Sequence, residues 1–175
     1  MLGFVKRSCG MLKRVSCIKA VYIAFVRSIL EYCLIVWSPY YVTHSVRLEK
    51  VQNKPLRFLA YKLGVNVDSI DYSLIRVMVN IKPLNLRRQA AEQIFLFKLL
   101  NGEVHASELL HSLNFLAPIK RTSSKKLFYI NMHRTNYAMF TPIDKICSDA
   151  NGLNINMFSV PFSKFRRELE HKLYG

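Results

Sequence analysis

Negative charge is what this chain has least of. Asp and Glu together number 11 against 26 Lys and Arg, a formal net charge of +15 at pH 7. That excess goes far beyond what solubility requires and points to a polyanionic counterpart. The few acids are also dispersed: Asp68, Asp71, Asp144 and Asp149 are never adjacent, and no paired-aspartate tetrapeptide of the polymerase type occurs. Two-metal nucleotidyl transfer needs clustered carboxylates to hold Mg²⁺ ions about 4 Å apart, so no catalytic or metal-binding residues are assigned here. A GxxxxGK[ST] phosphate loop and an HExxH zinc pair are absent too. Cys9, Cys17, Cys33 and Cys147 form no CxxC pair, which speaks against a disulfide framework and structural zinc and leaves free thiols. His44, His105, His111, His133 and His171 are scattered. The six-residue separation of His105 and His111 puts them on different helix faces, as surface histidines would be.

A secretory signal is missing as well. MLGFVKRSCG carries two charges but no apolar run of about ten residues after them, so an intracellular location, nucleus or cytoplasm, is expected. The stretch Ala20 to Trp37 approaches the about 20 residues that a membrane span needs. Arg27 and Glu31 sit in its middle and would cost several kcal/mol on insertion, so it reads as a buried core helix and not a span. An anionic membrane surface remains a competing partner for so basic a chain. With 175 residues, 51% of them hydrophobic and 12% aromatic, the chain can bury a core and does not read as disordered.

The organising stretch is Ile18 to Gly64, which reads as an αα-hairpin. Ile18, Val21, Tyr22, Phe25, Val26, Ile29, Leu30, Cys33, Val36 and Trp37 recur at helical spacing and predict one broad buried stripe. Ser38-Pro39 stops that arm, and Thr43 or Ser45 can cap a second helix starting near His44. Trp37, Tyr40 and Tyr41 could stack bases; the plainer reading is a core Trp37 with the two tyrosines plugging the turn. In the second arm Leu48, Val51, Phe58 and Leu59 keep the helical period, while Arg47, Lys50, Lys54 and Arg57 form a ridge beside them. A charge ridge on a helix is ordinarily a solvated face. Only Glu49 is acidic in this arm, however, so the ridge is no salt-bridge lattice and suits an external polyanion.

Outside the hairpin, Leu2, Val5, Cys9 and Leu12 predict a short helix. Such an uncapped apolar face at residue two suggests a chain that starts inside a longer reading frame. Asp68 or Ser69 can cap a helix facing inward through Ile70, Leu74, Val77 and Met78. After Pro83 a strong helix runs from Leu84 to Leu100, its rows Leu86, Ala90, Ile94, Phe97 and Ala91, Phe95, Leu99, stopped by Asn101-Gly102. Ser107 can cap a short helix with Glu108 in its first turn. From Ala117 the texture turns polar and loop-rich, with a short strand-like run in KLFYINM, a helix opening at Thr141-Pro142 and running to Ala150, and a last helix from Ser163 to Tyr174 with Phe165, Leu169 and Leu173 inward. Cations and acids number eleven and two over 1–62, five and five over 63–119, and ten and four over 120–175. The expected fold is therefore mainly α: an irregular helical bundle built on the hairpin over 1–116, and a basic, loop-rich extension over 117–175 that includes KRTSSKK.

The strings VRSILEY, VWSPYY, RLEKVQ and RFLAYKLG, in this order and spacing, resemble the segment just after the polymerase palm in reverse transcriptases of jockey-like non-LTR retrotransposons. LGFVKR, LRR with FLFKLLNG, and RTNY with TPI extend the resemblance over nearly the whole chain. It implies a thumb and C-terminal extension of an RNA-directed DNA polymerase, separated from upstream fingers and palm. It further implies contact with an RNA-DNA duplex and Mg²⁺ only in the missing palm. Lys6, Arg7, Arg47, Lys50, Lys54 and Arg57 are the candidate phosphate contacts. No role follows for Arg134 to Tyr137. The alternatives are a decayed or repurposed helical protein-interaction module and a basic protein lying on an anionic membrane.

One departure from the family pattern is Pro55, where an aromatic is usual. A helix-interior proline removes a ladder hydrogen bond and clashes with the preceding turn, which predicts a second arm kinked or split near Val51 to Pro55, or one restarting at the proline. The dispersed acids predict that the purified chain, given Mg²⁺ and a primed RNA template, extends no primer; extension by this chain alone would refute the non-catalytic reading.

Overall fold

The computed structural model describes residues 3, 7, 9–12, 14–65, 71–116, 126–158 and 160–175, with the side chains of Asn136 and Tyr137 not included. The fold is mainly helical, as the periodicity predicts, and the described residues form no strand beyond an isolated bridge between Phe115 and Phe128. The chain divides into two compact units, Met1–Leu34 with Pro39–Arg87, and Ile35–Ser38 with Arg88–Gly175. The change of texture at Ala117 thus lies within the second unit.

In the first unit, α1 (Val15–Tyr22) passes through a π turn (Ile23–Arg27) into α2 (Ser28–Glu31). The Ser28 hydroxyl donates to the Ala24 carbonyl at 2.5 Å within that turn, a bond that competes with the backbone ladder. The first arm does not continue to Trp37 as predicted. Tyr32 is extended and Cys33 takes φ 50°, a left-handed conformation that an α-helix of L-residues cannot propagate. The last turn, α3 (Leu34–Trp37), contributes Ile35 to the second unit's core. The buried stripe is accordingly narrower than expected. Ile18, Tyr22, Val26 and Leu30, one i, i+4 row, are buried, whereas Phe25, Ile29, Cys33, Val36 and Trp37 are exposed. The row packs mainly on α4 (Val42–Lys62), so only the side chains aimed at that helix leave water.

Helix α4 starts two residues earlier than expected. Tyr41 is its N-cap, without a side-chain cap bond, and neither Thr43 nor Ser45 caps it. The helix is also not split: Pro55 stands inside a continuous run, buried with Gln52, Leu56, Leu59 and Ala60. The missing Pro55 N–H removes the ladder bond to Val51, and tertiary contacts on both sides of the break hold the helix together.

Asp68, Ser69 and Ile70 lie outside the described residues. Asp71 caps α5 (Tyr72–Val79), its side chain accepting the Ser73 N–H at 2.8 Å. Those bonds from Ser73 hold the Asp71 carboxyl below its usual range. The predicted inward face of this helix is reversed. Leu74, Val77 and Met78 are exposed, and Ile75 and Val79 enter the core with Ile81 and Leu84. Arg76 sits beside that inward row and is drawn in by Glu49 at 2.5 Å.

Helix α6 (Leu84–Leu100) has the predicted bounds and ends at Gly102, whose φ of 73° suits a residue without a side chain. Its buried positions include Leu96, Phe97 and Leu99 but also Arg87, Arg88, Glu92 and Gln93. The two predicted rows are otherwise half-buried. In the second unit α7 (Ser107–His111) begins at Ser107 after an uncapped Ala106. A four-residue helix, α8 (Asn136–Met139), precedes α9 (Pro142–Leu153), which Thr141 caps and which runs three residues past Ala150. Phe165 and Leu169 of α10 (Phe162–Tyr174) are buried, and Phe165 stacks on Phe97 at 4.3 Å.

Replacing Pro55 with Ala restores the ladder donor and relieves the steric clash at the cost of the buried ring, and should raise stability by about 1–3 kcal/mol. Pro55→Phe restores the same donor but enlarges a buried position, so it should gain less. The urea midpoint measures both; an unchanged or lowered midpoint for Pro55→Ala would show that α4 has adapted to the proline.

Candidate nucleic-acid interface

The sequence-predicted contacts separate cleanly. Lys6 lies outside the described residues. Arg7 is exposed on the N-terminal segment, where its carbonyl accepts the Gly10 N–H at 3.3 Å. Arg47, Lys50, Lys54 and Arg57 are all exposed on α4. At about 100° per residue these four fall within an arc of about 80°, and their Cα atoms span about 15 Å along the axis. Tyr61, 67% exposed, lies on the same arc one turn further on. KRTSSKK lies mostly outside the described residues.

Among the described residues the scarce acids are used elsewhere than on the ridge. Glu31 pairs with Arg27 and Arg87, Glu49 with Arg76, Glu92 with Lys145, Glu103 with Lys98, Asp144 with His133 and Glu170 with Arg166. None of these partners belongs to the ridge. Glu49, the one acid of α4, lies off the ridge, about 80° around the helix from Arg57. One oxygen takes Arg76, and the other accepts the Leu84 N–H at 3.1 Å, placing a carboxylate at the positive start of α6.

Around Glu49 lies a buried polar cluster that apolar periodicity did not reveal. The Gln52 side chain donates to Glu49 and to the Lys82 carbonyl, each at 3.3 Å, and accepts from the Tyr22 hydroxyl at 3.3 Å and from Arg87. Arg87 also reaches Glu31, which Arg27 holds through both carboxylate oxygens at 3.0 Å. Arg76 adds a bond to Asn53 at 2.9 Å. Burial pushes the Tyr22 hydroxyl above its ordinary pKa, against the lowering influence of Arg87. The sequence signal was available: Arg27 and Glu31 are one helical turn apart, and Gln52 is a polar residue on the apolar arc of α4.

The second unit holds its own polar contacts. Lys145 donates to Glu92 at 2.7 Å and to Ser38 at 3.0 Å, while the Arg88 guanidinium lies 5.4 Å over the Trp37 ring. Trp37 is thus half-exposed and not a core residue. Asp144 works as a cap partner, accepting from the Thr141 hydroxyl at 2.6 Å and lying 3.1 Å from His133. Burial raises the Asp149 carboxyl, and it pushes the Cys147 thiol up to about 12. Among the described residues no three His, Cys, Asp or Glu side chains come together as a metal site, and no helix is long and apolar enough to cross a membrane. Glu31, Glu49, Glu92, Glu103, Asp144 and Glu170 stand in separate ion pairs and are not gathered around one point.

No protein-family model, curated protein or solved structure matches this chain.

Gln52→Ala strips four hydrogen bonds from a fully buried position and leaves Tyr22 and Arg87 short of a partner. It should cost about 2–4 kcal/mol in urea unfolding. A loss under about 1 kcal/mol would mean that apolar packing alone holds α4 in place.

Proposed function

We propose that this chain is a non-catalytic nucleic-acid-binding part of a reverse transcriptase of the non-LTR retrotransposon kind. It would grip the backbone of an RNA-DNA primer-template as a thumb does, next to a palm and fingers carried elsewhere. The observation that carries the binding reading is the ridge: four exposed cations on one face of one helix, with no ion pair to any described residue. Such a row can neutralise several phosphates without reading sequence. The family reading rests on the resemblance of the motif strings, and any Mg²⁺ chemistry would belong to the palm.

A second reading draws on a different feature. Leu74, Val77 and Met78 form an exposed apolar row on α5, between 59% and 79% open to water, which suits a protein-interaction module. Binding through such a row depends little on salt, whereas binding through the ridge depends on it steeply.

The fourfold variant R47Q/K50Q/K54Q/R57Q decides between them. Against an RNA-DNA duplex its log-log salt slope should be shallower by about 3 to 4 than that of the parent. An unchanged slope would reduce the ridge to a solvated face. Liposome flotation with anionic vesicles is expected to be negative; flotation that persists in the fourfold variant would favour the membrane reading.

A further inference from the structure

The second unit contains a cleft that the ridge does not explain. It encloses about 310 Å³ and is lined by Leu127, Ala150, Asn151 and the segment from Asn154 to Phe158. Helix α9 ends at Asn154, in the left-handed conformation with φ 48°. Burial alternates in the segment that follows: Ile155 and Met157 go in, while Asn154, Asn156 and Phe158 stay out. Asn154, Asn156 and Phe158 are all exposed and all line the cleft, so two asparagine amides and a phenyl ring border the same space.

The amides are not all spent on the fold. Asn151 is fully used, accepting the Leu127 and Phe128 N–H groups at 2.9 and 3.0 Å and donating to the Phe128 carbonyl at 2.8 Å. Asn156 accepts the Phe158 N–H at 2.9 Å through its oxygen, and its NH₂ remains a donor that this bond does not use. The ring of Phe158 is 39% exposed and lies 6.2 Å from that of Phe115, itself 51% exposed. A cation stands at the rim: Lys172 reaches the Leu153 carbonyl, and the Asn154 carbonyl at 2.9 Å.

An apolar floor, half-open aromatic rings, exposed amides and a lysine at the edge match one kind of ligand. An unpaired nucleobase stacks on the ring, hydrogen-bonds its edge to the amides and leaves its phosphate beside the lysine. We infer that this cleft is a binding site for an unpaired nucleobase, centred on Asn154, Asn156 and Phe158. This deepens the nucleic-acid reading and rests on it for the polymer, while the base chemistry is shared by a strand and a free nucleotide.

The full chain, labelled with ¹⁵N, is titrated with nucleoside monophosphates, with a single-stranded RNA 12-mer and with a blunt RNA-DNA duplex. The expected result is movement of the Asn154 and Asn156 side-chain amide signals with the monophosphates and the 12-mer but not with the duplex. Phe158→Leu, which keeps apolar bulk and removes the ring, should weaken 12-mer binding about five- to hundredfold and leave duplex affinity unchanged. If monophosphates move the signals and the 12-mer binds no tighter, the site takes free nucleotides. Amide signals that stay still with every single-stranded ligand would overturn the inference, whatever the ridge does. The fourfold ridge variant should still show the monophosphate response, so failure of the ridge and failure of the cleft are distinguishable.

Discussion

Gln52 has no contact with water, yet it sits halfway along the longest of the described helices with all its hydrogen-bonding capacity engaged. Its amide joins the first arm through Tyr22, the connection before α6 through Lys82, and the start of α6 through Arg87. Burying a guanidinium is costly unless its charge is met and its donors are used. Arg87 is placed between Glu31 and Gln52, which take its two terminal nitrogens while its buried Nε has no partner among the described residues, so α2, α4 and the first turn of α6 must approach in one register to meet it. Apolar packing of Ile18, Tyr22, Leu56, Leu59 and Ile75 supplies the bulk of the burial but would tolerate sliding. The polar cluster does not, because each bond has a direction.

The same cluster explains why Pro55 can be accommodated. Proline leaves the Val51 carbonyl without its ladder donor. Directly before the break, Glu49, Gln52 and Asn53 are tied to α5 and α6. Directly after it, Leu56, Leu59 and Ala60 are fully buried. Both halves of α4 are thus anchored independently of the bond that is missing. The helix continues because its surroundings fix each side, which local propensity could not reveal.

Legibility in the sequence followed the strength of the local signal. Helix α6, with its proline before and Asn101-Gly102 after, has both ends written in capping chemistry, and α9 has its start so written in Thr141-Pro142; their predicted starts are the observed ones. Helix α5 was placed approximately but faced the wrong way. Its apolar residues surround it, so periodicity was ambiguous, and the deciding term was the long-range pairing of Arg76 with Glu49. The first arm was overextended because nothing local marks Tyr32 and Cys33 as a break, and Ile35 beyond them packs in the second unit's core. The ridge was legible as a spacing of charges; that no described acid pairs with it was not, because that depends on where the acids go in the fold.

That last point bears on how a net charge should be read. A surplus of +15 says little about any one surface until the internal pairs are removed. Arg76, Arg87 and Lys145 are spent inside on acids, and Lys19, Lys62 and Lys172 on backbone carbonyls. These contacts would hold the fold together whatever the chain binds. The strings that resemble the polymerase family carry both kinds of residue: Glu31, Glu49, Gln52 and Arg87 turn inward, while Arg47, Lys50 and Arg57 turn out. Inward members answer to packing, and substituting them tests stability. Outward members have no structural task in the described chain, so any effect of replacing them must be sought in what the chain meets. A row of like charges held within about one Debye length of one another is unfavourable in isolation. An external polyanion removes that repulsion, and on this balance of terms α4 is the face on which binding would be felt first.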